Sequence, residues 1–129
     1  MRKTVYAIFT VLALAACQES LEDRSAREAA EYTKKKCPAR IDQNTVIDSL
    51  VFERDTHTMH YYYTLTGEAD NPEAFTRFSA ENVLLTQLKN STTIKTYKDA
   101  GYSFAYTYRS GKEKGRVLFE KTFTKKDYK

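Results

Sequence analysis

The sequence lacks an apolar run long enough to cross a membrane. Its longest apolar segment, residues 5–16, has 12 residues. As a helix these residues rise about 18 Å, well short of a bilayer core of about 30 Å. The segment therefore does not predict a transmembrane helix.

Motifs of known catalytic sites are also missing. The sequence contains neither the G-x-S-x-G motif of serine hydrolases nor the H-E-x-x-H motif of zinc proteases. GKEKG at residues 111–115 lacks the spacing of a phosphate-binding loop, and we interpret it as a charged hairpin turn. We therefore predict that the chain is not an enzyme, and an active site without a recognisable motif is the alternative left open.

Histidine is scarce, which bears on metal sites. The two histidines, His57 and His60, stand three positions apart. On a strand an odd spacing places side chains on opposite faces, and no carboxylate or thiol pattern completes a zinc site around them. We expect no metal site and no cofactor.

The first residues of the chain have the layout of a secretion signal. Arg2 and Lys3 precede the apolar segment, whose last two residues, Ala15 and Ala16, are small and adjoin Cys17. A basic start, a short apolar stretch and small residues at its end are the three parts of a signal peptide. We predict a signal peptide over residues 1–16.

The end of this signal peptide, Leu14-Ala15-Ala16-Cys17, resembles the lipobox of bacterial lipoproteins. The resemblance implies cleavage before Cys17, attachment of diacylglycerol to its sulfur, and a protein anchored in the outer membrane, on the periplasmic side or at the cell surface. Each buried CH₂ of an acyl chain contributes about 0.8 kcal/mol, so several chains hold a protein on a bilayer. Cys37 is then the remaining thiol, and we expect it to be buried and inert, a reactive or intermolecular thiol being the alternative.

Removal of the signal peptide changes the charge balance. The full chain has 21 Lys and Arg against 17 Asp and Glu, and residues 1–16 hold two bases and no acids, which leaves 19 against 17, or +2. The pI of about 9.0 thus overstates the basic character, and we expect no nucleic-acid partner. We interpret the lysines at residues 34–36, together with Lys125, Lys126 and Lys129, as solvated charge, with contacts to anionic headgroups or glycans as the alternative.

The chain beyond the signal peptide divides into three parts. Residues 17–36 contain no glycine or proline and are rich in alanine, glutamate and lysine, which predicts a helix. We interpret this segment as a lipid-anchored helical tether whose later turns dock on the body, and Pro38 ends it. Residues 37–124 are predicted to form a single α+β domain, and residues 125–129 a basic tail.

Strand and helix patterns follow one another within this domain. Residues 45–55 and 57–67 are rich in β-branched and aromatic residues and predict a hairpin, and the alternation on either side of GKEKG predicts a second one. Residues 70–90 have helical spacing, with Asn71 as N-cap and Pro72 in the first turn. Residues 91–100 fit either a short strand or a turn. The prediction is an α+β fold of order α-β-β-α-(β)-β-β, with an antiparallel sheet of four to five strands and helices on one face.

Aromatic residues supply the candidate binding surface. Alternate residues of a strand share a face, and Tyr62 therefore lies beside His60 on an otherwise polar face. We select Tyr62 and His60 as a candidate binding surface, because an exposed ring can stack on a sugar or on an apolar partner. The other aromatic stripes are expected to pack under the helices: Met59, Tyr61, Tyr63 and Leu65 on the first hairpin, and Tyr102, Phe104, Tyr106 and Tyr108 on the second.

The body of the chain also resembles small envelope proteins of Gram-negative bacteria. The likeness rests on Cys37-Pro38, on IDQNTVIDSL at residues 41–50, on MHYYYTL at residues 59–65, and on residues 101–108. It implies an envelope location and this fold, without an activity. The leading hypothesis is a lipid-anchored, non-catalytic module that binds another envelope protein. A glycan- or peptidoglycan-binding module with exposed tyrosines is the alternative.

Overall fold

The structure, a computed structural model, describes residues 19–77 and 79–129, and of Arg77 the backbone alone. The predicted signal peptide at residues 1–16 and the lipidation site Cys17 lie outside the described residues, and both stay predictions. Among the helices described, none is both long and apolar enough to span a membrane.

Helices and strands follow one another along the described ranges in the order α-β-β-β-α-α-α-β-β-α. The helices are α1 (Leu21–Lys36), α2 (Pro72–Arg77), α3 (Ala80–Asn90), α4 (Lys95–Asp99) and α5 (Lys125–Tyr128). The strands are β1 (Ala39–Asp42), β2 (Thr45–Glu53), β3 (Thr58–Leu65), β4 (Ser103–Ser110) and β5 (Val117–Phe123). Single 3₁₀ turns follow β2 and β3, at Arg54–Thr56 and Gly67–Ala69.

The five strands form one sheet in the order β1-β2-β3-β4-β5. Both predicted hairpins are present, as the antiparallel pairs β2–β3 and β4–β5, and β1 adds a short antiparallel edge. The α+β prediction is confirmed, with one correction: the central pair, β3 and β4, is parallel. The three helices α2, α3 and α4 connect these two strands, and a crossover of this length is what a parallel pair requires.

The connection between the hairpins differs from the prediction in two places. The helix expected over residues 70–90 is broken at Ser79, whose φ of 49° lies in the left-handed region and ends helical geometry. Its start is as predicted, because α2 begins at Pro72 and the Asn71 side chain accepts a hydrogen bond from the Glu73 N–H at 3.0 Å. Residues 91–100 form neither a strand nor a simple turn but include α4, which is held by the buried Tyr97.

The N-terminal helix packs on the sheet along its whole length. Ser25 in its second turn is fully buried and Ala29 in its third is 1% exposed, because small side chains let the helix approach β2 closely. Docking thus begins in the second turn of the helix, earlier than expected for a tether. Residues 125–129, the expected basic tail, include α5, whose Tyr128 is buried.

One face of the sheet forms the core with all the helices. Phe104 and Phe123 are fully buried there, and the predicted aromatic stripes of β3 and β4 lie on this face. The helices contribute Ala29, Leu84, Leu88, Tyr97 and Tyr128 to the same cluster. Cys37 is half-buried at its margin, and burial raises the pKa of its thiol, which lowers the fraction of reactive thiolate at neutral pH.

Candidate functional site

The face of the sheet opposite the helices carries polar residues and is called the open face here. It is formed by alternate residues of the four longer strands, and its outer positions are solvent-exposed, as at Arg109, Glu120 and Thr122. The two residues selected from the sequence, His60 and Tyr62, lie at its centre on β3, and both are partly buried. His57 lies outside the strand, in the left-handed turn residue after Arg54–Thr56.

His60 belongs to a hydrogen-bonded chain that crosses all four longer strands. Its Nδ1 lies 2.9 Å from Glu53 Oε2 on β2, and its Nε2 lies 2.7 Å from the Thr107 hydroxyl on β4. Thr107 donates to Glu120 on β5 at 2.6 Å. Ionised carboxylates accept and do not donate, so all three of these hydrogen bonds are made when both nitrogens of His60 carry hydrogen.

Tyr62 is held by its neighbours on this face. Its ring stacks on His60 with centroids 4.1 Å apart and planes 17° from parallel, and its hydroxyl lies 3.1 Å from His60 Nδ1. The guanidinium of Arg109 lies 5.0 Å from the centroid of the same ring, a cation–π distance. Both contacts compete with the stacking of a sugar on the same ring.

Metal binding finds no support in the part of the chain that the structure describes. No group of three or more His, Cys, Asp or Glu side chains is arranged there to hold a metal ion. His57 stacks on Tyr102 at 5.5 Å and lies 3.4 Å from Glu22, away from His60.

An apolar groove lies between β1 and the helices α2 and α3, and sequence reasoning did not identify it. Its volume is about 310 Å³, and Phe75 and Tyr108 are among its lining residues. Ile41 on β1 and Val83 on α3 are 55% and 49% exposed. The sequence signal was present: Val83 continues the apolar face of the helix beyond the part that the sheet covers.

The groove and the start of α1 lie at opposite ends of the sheet. Helix α1 runs antiparallel to β2, because Asp23 in its first turn pairs with Arg54 at 3.0 Å, just after β2 ends, while Thr33 reaches Leu50. The groove is lined by Thr45 at the start of β2 and Leu65 at the end of β3. A tether attached ahead of α1 therefore leaves the groove at the far end of the molecule.

Three solved structures share this fold. A candidate secreted protein from Pseudomonas aeruginosa is 11% identical, with a TM-score of 0.66 over 87% of this chain and 100% of that one. The pilotin EpsS of the Vibrio vulnificus type 2 secretion system is 11% identical, with a TM-score of 0.66 over 84% and 92%. The type II secretion pilotin AspS of Vibrio cholerae is 16% identical, with a TM-score of 0.62 over 89% and 98%.

At these identities the likeness establishes the fold alone. No curated protein sequence matches the chain. A protein-family model does match most of it, from residue 20 to residue 119. The chain belongs to the family that this model defines, described as a domain of unknown function, DUF8479.

Proposed function

We propose that the chain is a lipid-anchored module of the bacterial envelope that binds another envelope protein and performs no catalysis. The observation that carries this proposal is the apolar groove, with Ile41 and Val83 exposed, at the end of the fold remote from α1. The pilotins of type II secretion systems offer a structural precedent for such a module.

The groove suits an apolar segment of a protein partner. Its lining is mostly aliphatic and aromatic, with Asp42, Thr45 and Gln87 as the polar exceptions. Fully burying a side chain of the size of Val or Ile contributes about 1.5–3 kcal/mol, so covering the exposed halves of Ile41 and Val83 would contribute about 2 kcal/mol. A helix or strand with one apolar face meets these requirements.

The anchor is the second part of the proposal. Acylation of Cys17 would tether the module to the outer membrane, on its periplasmic side or at the cell surface, while the groove faces away from that membrane. Mass spectrometry of the native protein should find a chain that begins at an acylated Cys17. A bare thiol at position 17, or an uncleaved residue 1–16 segment, would overturn this part.

Photo-crosslinking in cells tests the groove. A photoreactive amino acid at position 83 or 41 should form an adduct with the same envelope protein. The matched control is position 117, because Val117 is 47% exposed and lies on β5, paired with Arg109 of the open face. Equal adducts at positions 83 and 117, or none at 83 and 41, would contradict the groove as the binding site.

A glycan-binding module is the second candidate. Its support is the position of Tyr62 and His60 on the open face, between the carboxylates of Glu53 and Glu120, which could accept hydrogen bonds from sugar hydroxyls. The contacts of His60 and Arg109 with the Tyr62 ring weigh against it. Loss of peptidoglycan binding on substitution of Tyr62 would favour this second candidate.

A further inference from the structure

We propose that the end of the fold nearest the anchor makes a second membrane contact, in which a lysine cluster binds the anionic phosphate headgroups of phospholipids. This inference rests on the proposed anchoring at Cys17. The lysine cluster consists of Lys89 at the end of α3, Lys95 and Lys98 on α4, and Lys125, Lys126 and Lys129 in and after α5.

Side-chain contacts bring these three segments together. The Tyr128 hydroxyl of α5 donates to the Tyr102 carbonyl at 2.6 Å and approaches the Lys98 carbonyl at 3.3 Å. The Lys98 ammonium donates to the carbonyls of Leu88 and Lys89 at the end of α3, at 2.8 and 3.1 Å. The lysine cluster is therefore one surface, although its members are up to 40 positions apart in sequence.

The same contacts place the lysine cluster beside the start of α1. Tyr102 lies 3.3 Å from the Ser25 hydroxyl, and the Tyr97 hydroxyl of α4 donates to Glu28. An extended chain spans about 3.5 Å per residue, so the Cα of Cys17 can lie no more than about 11 Å from the Cα of Ser20. Acyl chains on Cys17 would hold the bilayer against this end of the molecule.

The charge of this end favours an anionic surface. The cluster has six lysines, and the acids within its own segments are Asp99, which pairs with Lys95 at 2.7 Å, and Asp127, which caps α5 through Thr124. Glu28 of α1, which accepts from Tyr97, is paired with Arg24 at 2.7 Å. Among the described residues the other five lysines form no ion pair. Six bases against two acids make +4, whereas the rest of the chain after residue 16 has 13 bases against 15 acids, or −2.

The acidic residues at the start of α1 do not cancel this attraction. Glu19 pairs with Arg27 at 2.6 Å. Glu22 lies 3.4 Å from His57, and Asp23 pairs with Arg54 at 3.0 Å. Two of these three carboxylates, Glu19 and Asp23, thus pair with an arginine within the fold, while most lysines of the cluster have no acidic partner.

Vesicle sedimentation tests the inference on a protein that carries no acyl chains. Every contact described above lies within residues 19–129, so a chain that begins at residue 17 and carries Cys17→Ser contains the whole fold. It should sediment with vesicles that contain phosphatidylglycerol and not with vesicles of phosphatidylcholine alone. Added salt should weaken this binding, because screening acts on exposed charges.

The decisive comparison is between two triple variants of equal charge. Replacing Lys125, Lys126 and Lys129 with Gln should weaken partitioning onto phosphatidylglycerol vesicles by about tenfold or more. Replacing Lys34, Lys35 and Lys36 with Gln removes the same charge about 20 Å away, at the other end of α1, and should leave partitioning unchanged. Circular dichroism checks that both variants are folded.

Two outcomes would overturn the inference: no preference for phosphatidylglycerol, or equal losses in the two triple variants. The second would show a response to net charge rather than to the lysine cluster. Neither outcome depends on acylation, which mass spectrometry of the native protein examines separately.

Discussion

The Thr33 hydroxyl bonds both backbone groups of Leu50, donating to the carbonyl oxygen at 2.8 Å and accepting from the N–H at 2.9 Å. The short strand β1 pairs with β2 only as far as Ile47. One side chain of α1 therefore satisfies the edge of β2 where no strand continues, and it joins the helix nearest the proposed anchor to the sheet.

Replacing Thr33 with Val should destabilise the fold by about 1–3 kcal/mol, because it leaves a partly buried N–H and carbonyl without partners. Valine has nearly the shape of threonine, so packing changes little. Thr33→Ser keeps the hydroxyl and should lose much less. Urea unfolding measures the stability of both variants. Equal losses in the two would show that the two hydrogen bonds of the Thr33 hydroxyl contribute nothing.

The fold should unfold in alkali as its buried tyrosines ionise. Burial raises the pKa of Tyr61, Tyr97 and Tyr108 to about 12 each, and it raises the pKa of Tyr63 and Tyr106 as well. The ordinary value is about 10. Because the folded-state pKa is the higher one, this contribution to stability is complete below about pH 10 and is lost as the pH rises towards 12.

Ultraviolet absorbance of the phenolate form measures this titration directly. All nine tyrosines of the described residues are buried or partly buried, and we expect most of the phenolate absorbance to appear well above pH 10, together with loss of the circular dichroism signal. A single transition near pH 10 with the fold intact would contradict the burial of these phenols.

Tyr62→Ala should not change binding to purified peptidoglycan, because the Tyr62 ring is already in contact with His60 and Arg109. Tyr62→Phe is the control, since it keeps the ring and removes the hydroxyl near His60. Sedimentation with peptidoglycan measures binding by the unsubstituted protein and by the two variants. Binding that is lost in Tyr62→Ala and kept in Tyr62→Phe would establish a stacking site and favour the glycan-binding candidate.

Gly111→Ala should destabilise the chain by about 1–3 kcal/mol. Gly111 follows β4, and its N–H donates to the Leu65 carbonyl at the end of β3 at 2.9 Å. A Cβ at this position would stand 2.8 Å from the same carbonyl oxygen, closer than the atoms can approach. Lys112→Ala at the exposed next position is the control, and thermal unfolding of the two variants should separate them clearly.

Local patterns were sufficient to predict the two hairpins and the face on which Tyr62 and His60 lie. In each case the information is a period of two within a few residues. The parallel pairing of β3 with β4 could not be predicted this way, because it joins segments about 45 positions apart and depends on where the intervening helices pack. Helix α4 was not predicted because Thr92, Thr93, Ile94 and Thr96 are β-branched. Of these four residues Thr96 alone lies in the helix, where packing of the neighbouring buried Tyr97 overrides its preference.

The candidate sites divide in the same way. His60 and Tyr62 are two positions apart on one strand, so their common face follows from the sequence alone. The apolar groove lies between β1 and α3, which are about 40 positions apart in the sequence, so it depends on how these two elements pack. The lysine cluster likewise joins α3, α4 and α5, and in the sequence each of its members resembles ordinary surface charge.

The parallel pairing of β3 and β4 has a consequence for how the chain folds. The turns within the two hairpins comprise four residues, 54–57, and six, 111–116, whereas residues 66–102 separate β3 from β4. Long loops cost more entropy to close, and contacts distant in sequence slow folding. We expect each hairpin to form early and the pairing of β3 with β4 to set the folding rate. Substitutions at the contact between β3 and β4 should therefore slow folding more than substitutions at either hairpin turn.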